Sequence, residues 1–384
     1  MGILPVLISL RNPCGSPAAR RGRRYGAEME HAVGAWCRLD ALNFRLYDPA
    51  RRLAGVRLSQ HAGLPGDQLD FTYDEMDRTW RLSLPRPLLW RVEYQLELHH
   101  PDGQVELICD PGNPRRVGGA FGDKSVVECP DYVEPAWLRL PPGEGSWREW
   151  AIPSPALRST MWARVWSPTA PTDRVLVAHD GPEYDELGAL GRYSAAMIGA
   201  HRLPPYHLVL LGPKNRNEWY SANRSYAWGL AADVLPRVFA ELGVGPPVVG
   251  MGASLGGLAM LHAQRRYPRA FQGLFLQSGS FFRPRHDRHE SAFRRYQRIV
   301  RFTGRVLRGS DRVPPVPTVL TCGRVEENLP NNRAMAGALR EQGYPVNLVE
   351  VPDAHNYTAW RDAFDPHLTD LLRGVWAAHP PGEN

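Results

Sequence analysis

The stretch “GMGASLGGLAM”, residues 250–260, surrounds Ser254 with small residues where an apolar strand pattern ends and a helical pattern begins. It contains the pattern Gly-x-Ser-x-Gly at residues 252–256. In a nucleophile elbow the chain turns so sharply between strand and helix that larger side chains beside the serine would collide. Glycine-rich turns of this kind also bind phosphate, but this stretch lacks the lysine of a phosphate-binding loop. It therefore predicts a strand, a tight turn and a helix that present Ser254 as a nucleophile.

The same order of strand, loop and helix extends on both sides of this turn. Apolar runs typical of buried strands, such as “RVLVAHDG”, “HLVLLGP” and “PTVLTCG”, alternate with helical patterns such as “YDELGALGRYSAAMIGAHR” and “YAWGLAADVLPRVFAEL”. The last helical pattern is “WRDAFDPHLTDLLRGVWAA”. This alternation is typical of a mostly parallel sheet with helices on both faces. We therefore predict an α/β domain over residues 141–384.

The first part of the chain has a period of two instead. From about Leu42 to Arg115, short alternating runs such as “NFRLYDP” and “RTWRLSLPRP” are separated by turn residues, and “HPDGQ” carries an Asp-Gly hairpin signal. The pattern predicts a small antiparallel β-sandwich over residues 35–140, with a junction at the Pro/Gly-rich “LPPGEG”. Its tryptophans could form aromatic platforms for a glucan, or they could fill the contact between the two domains. A binding module is therefore an alternative function.

Length and composition favour two domains and exclude a membrane span. The chain has 384 residues, of which 43% are hydrophobic, and single cores usually stop growing near about 250–300 residues. Residues 1–34 have an apolar stretch before their arginines, the reverse of a secretory signal. We predict a disordered leader there, with a translation start near Met29. No later stretch approaches the roughly 20 apolar residues of a membrane helix.

The five cysteines are scattered, without a CxxC pair. Their odd number indicates neither a disulfide framework nor a zinc site. A reducing, cytoplasmic location fits this pattern best.

The chain is basic, with a net charge of +6 and a pI of about 9.2. Of its 46 lysines and arginines, 44 are arginine, which indicates a compositional bias more than a function. Aromatic-interleaved nucleic-acid motifs are absent, so we predict no nucleic-acid partner. Ten arginines lie in “RPRHDRHESAFRRYQRIVRFTGRVLRGSDR”, residues 283–312. This segment is either a solvated helix face or a cap whose positive potential attracts an anionic substrate.

A serine hydroxyl is a weak nucleophile until a base takes its proton, so a histidine is expected after the last strand. “VNLVEVPDAHNYTAW” supplies His355 there. In hydrolases with this elbow the acid follows the serine and precedes the histidine. The loop of “VPTVLTCGRVEEN” offers Glu326, which we predict as the acid, and Glu327 as the alternative. Asp353 is too near His355 in the chain to reach its far nitrogen easily, and we interpret it as a surface or turn residue.

Ester cleavage through a tetrahedral intermediate also needs backbone N–H donors for the oxyanion. One is normally the residue after the nucleophile, here Leu255, and the other comes from an earlier strand-end loop. “VLVAHDGPEYDE” is that loop. Because Pro182 has no N–H, the second donor is Gly181, Glu183 or Tyr184. Among these, Glu183 is our prediction.

The segments “VVGMGASLGGLAMLHAQRRYPRAFQGLFLQSGSFF”, “HDGPEY” and “DAHNYTAWRDAF” resemble the enterochelin (ferric enterobactin) esterases and the wider esterase D group. The resemblance implies an α/β-hydrolase domain preceded by an immunoglobulin-like, early-set sandwich, and “DPGNPRRVGGAFGDKS” is similar to the end of such a sandwich. It implies Ser254 as nucleophile, His355 as base and Glu326 as acid.

The same resemblance places four further residues near the substrate mouth. Arg216 and Tyr220 lie within “GPKNRNEWYSAN”, and Trp360 and Arg361 follow His355. The implied activity is serine esterase cleavage of the ester backbone of an iron siderophore of the enterochelin type. A general carboxylesterase acting on feruloyl or acetyl esters is the enzymatic alternative. The chemistry requires no metal or organic cofactor, and iron would arrive with the small-molecule substrate.

Overall fold

The computed structural model describes residues 34–120 and 122–378. The predicted start near Met29 and the leader, apart from Gly34, lie outside the described residues. Gly34 is buried, and its N–H donates to the Gly112 carbonyl at 3.1 Å. In the described part of the chain, no helix combines the length and the apolar character that crossing a bilayer requires.

Two antiparallel sheets form the first part of the described chain. One has the order β1-β2-β5-β4, and the other has the order β3-β6-β9-β8 with β7 paired to β6. Leu42 and Phe44 of one sheet share a single buried core with Val56 and Tyr94 of the other, so the two sheets form a sandwich. The strands are β1 (Ala35–Cys37), β2 (Ala41–Tyr47), β3 (Gly55–Gln60), β4 (Thr72–Asp74), β5 (Thr79–Pro85), β6 (Arg91–His99), β7 (Val105–Ile108), β8 (Arg116–Val117) and β9 (Lys124–Glu128).

The aromatic residues of the “TYDEMDRTWRLSLP” region pack inside this sandwich. Trp80 is 7% exposed, and its Nε1 donates to the carboxylate of Asp48 at 3.1 Å. Tyr73 packs edge-on against the Trp80 ring and donates its hydroxyl hydrogen to the Asp48 carbonyl. These rings are occupied by packing within the sandwich, so this pair forms no platform for a sugar.

The cysteine interpretation needs one correction. Cys37 and Cys129 form a disulfide with a Cα–Cα distance of 4.9 Å, although they are 92 residues apart in the chain. The bond joins β1 of one sheet to the residue that follows β9 of the other. Spacing along the chain gives no sign of this pairing, because only the face-to-face packing of the two sheets brings the cysteines together.

The second part of the chain forms a mixed sheet of eight strands in the order β10-β11-β13-β12-β14-β15-β16-β17. The β10–β11 and β11–β13 pairs are antiparallel, and every pair from β13 to β17 is parallel. The mostly parallel sheet predicted from the sequence is thus confirmed. Its strands are β10 (Gly145–Ser154), β11 (Ser159–Pro168), β12 (Val175–His179), β13 (His207–Gly212), β14 (Val248–Ala253), β15 (Phe271–Gln277), β16 (Thr318–Gly323) and β17 (Val346–Val351).

Helices cover this sheet and bury two separate apolar clusters against it. The α-helices are α1 (Gly181–Gly188), α2 (Leu190–Gly199), α3 (Arg216–Trp219), α4 (Arg224–Gly229), α5 (Leu235–Leu242), α6 (Leu255–Arg266), α7 (Tyr296–Leu307), α8 (Leu329–Glu341), α9 (Tyr357–Asp362) and α10 (Thr369–Ala377). Shorter 3-10 helices span Gly66–Gln68, Ala136–Arg139, Pro155–Leu157, Pro268–Ala270 and Arg288–Ala292, and π-helical turns span Leu230–Val234 and Phe364–Leu368.

Two of the predicted helices are interrupted. The pattern “YDELGALGRYSAAMIGAHR” covers the end of α1 and all of α2, which meet at Ala189 in the left-handed conformation. The closing pattern divides into α9 and α10 around Asp365, whose φ of −115° and ψ of 118° are not helical. A proline follows Asp365, and the residue before a proline avoids the α conformation. Apolar periodicity alone does not reveal either break.

The parallel register aligns the carboxyl ends of four neighbouring strands. Ala253 pairs with Gln277, Gln277 with Thr321, and Gly323 with Val351. The loops after β14, β15, β16 and β17 therefore leave the sheet at one edge, which is where α/β proteins place their ligands. Ser254, Glu326 and His355 all lie on these loops.

Candidate active site

Ser254 lies in the sharp turn between β14 and α6. Its φ of 54° and ψ of −123° are rare for a residue with a side chain, and such strain typically marks functional positions. A Cβ added to Gly252 would lie 2.5 Å from the carbonyl carbon of Gly256, so only glycine fits there. The turn predicted from Gly-x-Ser-x-Gly is present, and Ser254 is 8% exposed.

The Ser254 hydroxyl lies 3.1 Å from the hydroxyl oxygen of Ser280. The backbone of the turn is tied to the same segment, since Ser254 N–H donates to the Gln277 carbonyl and Ser280 N–H donates to the Ser254 carbonyl. Among residues 34–120 and 122–378, Nε2 of His355 has no hydrogen-bond partner. Serine–histidine bonds are often long without substrate and tighten when substrate binds.

His355 and Glu326 form a short polar contact at this edge. Nδ1 of the imidazole lies 2.7 Å from Oε2 of Glu326, whose side chain is 2% exposed. The other carboxylate oxygen, Oε1, accepts the Ser278 hydroxyl hydrogen and the Gly323 N–H, both at 2.7 Å. Glu327 points elsewhere and pairs with His289 at 2.9 Å. Of the two candidate acids, the structure thus brings only Glu326 to the imidazole.

Trp360 completes this arrangement from α9. Its Nε1 donates to the Ser278 hydroxyl at 2.9 Å, and its ring meets the His355 ring edge-on with centroids 5.0 Å apart. Burial, reinforced by Glu326, raises the pKa of the neighbouring Cys322 thiol well above its usual range. Trp360, predicted as a substrate residue, is 7% exposed and packs against His355 and Ser278.

Arg216 and Tyr220, predicted near the substrate, hold the “HDGPEY” loop. Asp180 adopts a positive φ of 51°, and the guanidinium of Arg216 donates to both of its carboxylate oxygens at 2.7–2.9 Å. The Asp180 N–H donates to the Tyr220 hydroxyl at 3.2 Å, and the Tyr220 ring stacks on His179. Burial lowers the pKa of His179 to about 4. The imidazole is thus neutral at pH 7.

His179 links this loop to the Ser254 turn. Its two ring nitrogens lie 2.9 Å from the Gly256 carbonyl oxygen and 2.8 Å from the Tyr226 hydroxyl. These contacts pack the end of β12 against the start of α6. The loop after β12 and the Ser254 turn therefore form one buried unit.

Two loops carry the predicted N–H donors for an oxyanion. Leu255 begins α6, so its N–H lies at the positive end of a helix. In the other loop α1 begins at Gly181, and the Tyr184 N–H already donates to the Asp180 carbonyl at 2.9 Å. This leaves Gly181 and the exposed Glu183 as candidates for a second donor.

Arg361, the last predicted substrate residue, lies on α9 and contacts the chain that follows β9 of the sandwich. Its guanidinium donates to the carboxylate of Asp362 at 2.7 Å and to the Tyr132 hydroxyl at 3.2 Å. Asp353 is likewise between the two domains, 1% exposed and paired with Arg91 at 2.9 Å. The surface interpretation of Asp353 is therefore wrong, because the sandwich covers it.

The arginine-rich segment divides into paired and exposed residues. Arg295 and Arg298 both pair with Glu218, which fixes α7 against the chain around α3. Arg285 and Arg288, which follow the β15 loop, are exposed. The segment thus combines a structural role with a free positive surface beside the strand ends.

Sequence reasoning missed three side chains that build this site. Ser278 and Ser280 sit in “QSGS”, directly after a parallel strand, where small polar residues can approach a ligand or a catalytic group. Arg91 interrupts the apolar run “LLWRVEYQLEL”, and a charge within a buried strand indicates a buried partner.

No group of His, Cys, Asp and Glu within the described ranges could hold a metal ion.

A model of the family described as “Putative esterase” matches residues 154–371, more than half of the chain. The chain is also 25% identical to the iron(III) enterobactin esterase of Escherichia coli O6:H1 over 288 residues, which cover 71% of this chain and 69% of that protein.

Two solved structures share the fold across both domains. The enterobactin esterase of Shigella flexneri, crystallised in the presence of enterobactin, superimposes with a TM-score of 0.73 at 19% identity, covering 91% of this chain and 99% of that one. The ferric enterobactin esterase of Salmonella typhimurium gives a TM-score of 0.71 at 20% identity, covering 87% and 94%.

Proposed function

The chain belongs to the esterase family whose model it matches, and from that membership we propose that it is a serine esterase that cleaves the ester backbone of an iron siderophore of the enterochelin type. One observation carries the serine chemistry. A serine in a strained strand–helix turn and a buried carboxylate–imidazole pair with a 2.7 Å contact lie at one edge of the sheet. The enterobactin esterases among the relatives support the substrate.

The proposed reaction begins when Ser254 Oγ leaves Ser280 and turns toward His355. His355 Nε2 takes the hydroxyl proton as Oγ attacks the ester carbonyl carbon, and Glu326 holds the Nδ1–H and stabilises the imidazolium. The Leu255 N–H and a first-turn N–H of α1, from Gly181 or Glu183, stabilise the oxyanion. The alcohol leaves with the proton from Nε2. Water then attacks the acyl-serine and gives a proton to His355 Nε2. As the bond from the acyl carbon to Ser254 Oγ breaks, the imidazolium returns that proton to Oγ, which releases the acid and regenerates the serine.

Positive charge around the site supports an anionic substrate. The exposed Arg285 and Arg288 follow the β15 loop, and on the sandwich side Lys124 Nζ lies 3.4 Å from His61 Nδ1. Burial, Lys124 and His355 together lower the pKa of His61. Guanidinium groups pair well with anionic oxygens, and a ferric tris-catecholate is strongly anionic. Iron would enter this site as part of the substrate.

Labelling with a fluorophosphonate tests the serine chemistry directly. Wild-type protein should be labelled, Ser254→Ala should not, and His355→Ala should react far more slowly because no base removes the proton. Ser280→Ala is the matched control and should keep the label. Labelling of Ser254→Ala at the wild-type level would disprove the proposed nucleophile.

Parallel assays with p-nitrophenyl acetate and ferric enterobactin test the substrate. A siderophore esterase should show a kcat/KM for ferric enterobactin at least about 100-fold higher than for p-nitrophenyl acetate, because remote contacts contribute binding energy in the transition state. Equal values for the two substrates would leave an esterase without the siderophore role.

We further propose that the sandwich is an early-set, immunoglobulin-like domain over residues 35–140, and that residues 141–384 form an α/β-hydrolase domain. The shared core of the two antiparallel sheets supports the sandwich assignment.

Release of iron from a siderophore would place the protein in the cytoplasm. The Cys37–Cys129 disulfide is more typical of oxidising compartments, so cysteine usage no longer supports that location. Cell fractionation with an antibody against the protein tests it.

A further inference from the structure

A buried polar cluster joins the sandwich to the loop that carries His355. It consists of Arg91 and Glu93 from β6 and of Asp353 and Asn356 from the loop. Arg91 Nη2 lies 2.9 Å from Asp353 Oδ2 and donates to Asn356 Oδ1 at 3.2 Å. The side chains of Arg91 and Asp353 are each 2% exposed. The ion pair is therefore shielded from water and holds a defined geometry.

Asp353 and Asn356 pass this constraint to the backbone on both sides of His355. Oδ1 of Asp353 accepts the Ala354 N–H at 2.7 Å and a hydrogen of the Asn356 amide at 3.0 Å. Asn356 Oδ1 also accepts the Ala359 N–H at 2.8 Å, which caps the start of α9. The Arg91 guanidinium thus contacts both residues that fix the chain on either side of the imidazole.

Two further contacts tie the same two loops to the sandwich. The Trp90 N–H donates to the Pro352 carbonyl at 2.8 Å, just before the His355 loop. Val325, next to Glu326, packs against the sandwich core, and a Cβ on Gly63 would lie 3.2 Å from the Val325 Cβ. The base and the acid of the proposed triad are therefore both carried by loops that the sandwich contacts.

The charges make Arg91 the central member of the cluster. It is 2.9 Å from Asp353 and 3.6 Å from Glu93, so its loss would leave two buried carboxylates without their cation. A lysine would keep the charge, but its side chain ends one bond short of the position of Nη2, the single nitrogen that contacts both Asp353 and Asn356. The lysine variant therefore separates the effect of geometry from the effect of charge.

We propose that Arg91 of the sandwich is a positioning residue for His355, which sets the alignment of the imidazole with Glu326 and Ser254 through Asp353 and Asn356. This inference rests on the proposed serine esterase function. It makes the sandwich a part of the catalytic apparatus, although its residues need not touch the reacting atoms.

The test compares Arg91→Lys with Arg57→Lys in steady-state hydrolysis of p-nitrophenyl acetate. Arg57 pairs with the exposed Asp70 on the same sandwich and serves as the matched control. Arg91→Lys should lower kcat about 10- to 100-fold with KM within about two-fold, because small displacements of a catalytic group cost rate more than binding. Arg57→Lys should match wild type. An unchanged kcat in folded Arg91→Lys would overturn the proposal.

A second measurement does not depend on activity. In protein with 15N-labelled histidine, the Nδ1–H of His355 should give a low-field proton resonance, assigned by its loss in His355→Gln. Arg91→Lys should shift or broaden this resonance, and Arg57→Lys should leave it in place. An identical resonance in Arg91→Lys would overturn the positioning role even if no ester is hydrolysed. A different outcome would reject the proposed function alone. In that case wild type would neither hydrolyse esters nor react with the fluorophosphonate, while the resonance would still shift in Arg91→Lys.

Discussion

The Ser254 turn and the His355–Glu326 pair lie at the same sheet edge but depend on contacts of very different range. The sharp bend of the turn depends on residues a few positions apart, since a Cβ on Gly252 would lie 2.5 Å from the carbonyl carbon of Gly256. The pair depends on Ser278, which is 48 residues from Glu326, and on Arg91, which is 262 residues from Asp353. A local motif therefore builds the nucleophile, whereas long-range packing aligns the proposed base and acid.

The largest effect is expected on the long-range side, from Glu326→Gln. Glutamine keeps the shape but cannot stabilise an imidazolium as a carboxylate does, so kcat for ester hydrolysis should fall about 10³- to 10⁴-fold. The matched control is Glu327→Gln, because Glu327 is more exposed and pairs with His289. Its activity should stay within about two-fold of wild type. Equal losses in the two variants would contradict the assignment of the acid.

Gly252→Ala tests the local side and should act mainly on stability. The new Cβ would lie 2.5–2.9 Å from the backbone of Gly256 and Gly257, which no side-chain rotation relieves. We expect a loss of about 3 kcal/mol in the free energy of unfolding, the upper end for overpacking. Gly337→Ala is the control, since a Cβ there meets nothing within 4 Å. Urea denaturation measures both. A Gly252→Ala protein as stable as Gly337→Ala would show that the turn tolerates side chains.

Over a single pH unit, the smallest effect is a pH dependence of stability on the nucleophile side. Burial, followed by nearby arginines, lowers the pKa of His262 on α6 to about 3. An unfolded histidine titrates near 6.5 and so binds more protons than the folded one below that pH. The free energy of unfolding should therefore fall as the pH drops from 6.5 toward 3, by up to about 1.4 kcal/mol per pH unit.

Between pH 6.5 and pH 4.5, the free energy of unfolding of His262→Leu should fall less steeply than that of wild type. The difference in slope should match the uptake of about one proton on unfolding. The control is Phe302→Leu, which removes the ring that packs edge-on against His262 but titrates nothing. That variant should lose stability equally at all pH values. Urea denaturation at several pH values measures both. A His262→Leu slope as steep as that of wild type would assign the acid sensitivity to other groups.

The fold was predictable where local pattern and burial agree. Alternating apolar residues in β2 and the continuous apolar run of β14 each predict their strand type, because side-chain period reports directly which faces are buried. The helix breaks at Ala189 and Asp365 were not predicted, since apolar periodicity continues across them. The Cys37–Cys129 bond was missed for a related reason: a pairing across two sheets has no signature in spacing.

The candidate site, like the fold, is predictable from the sequence only in part. The residue types, their order along the chain and the loops that carry Ser254, Glu326 and His355 follow from the sequence, because strand ends and turn residues are local signals. In the structure the four predicted substrate residues hold loops and packing around the site, and their contact with a substrate stays a prediction. For example, Arg216 forms a forked pair with Asp180. A side chain's partner depends on which distant segment packs beside it.

Residues close along the chain specify the strand–turn–helix at Ser254, the mostly parallel sheet and the antiparallel strands before it, because each of these depends on local pattern. Packing between distant segments selects Glu326 rather than Glu327 as the partner of His355, and it buries Arg91 of the sandwich against Asp353. These choices depend on distances between segments far apart in the chain, which are fixed when the two domains pack together.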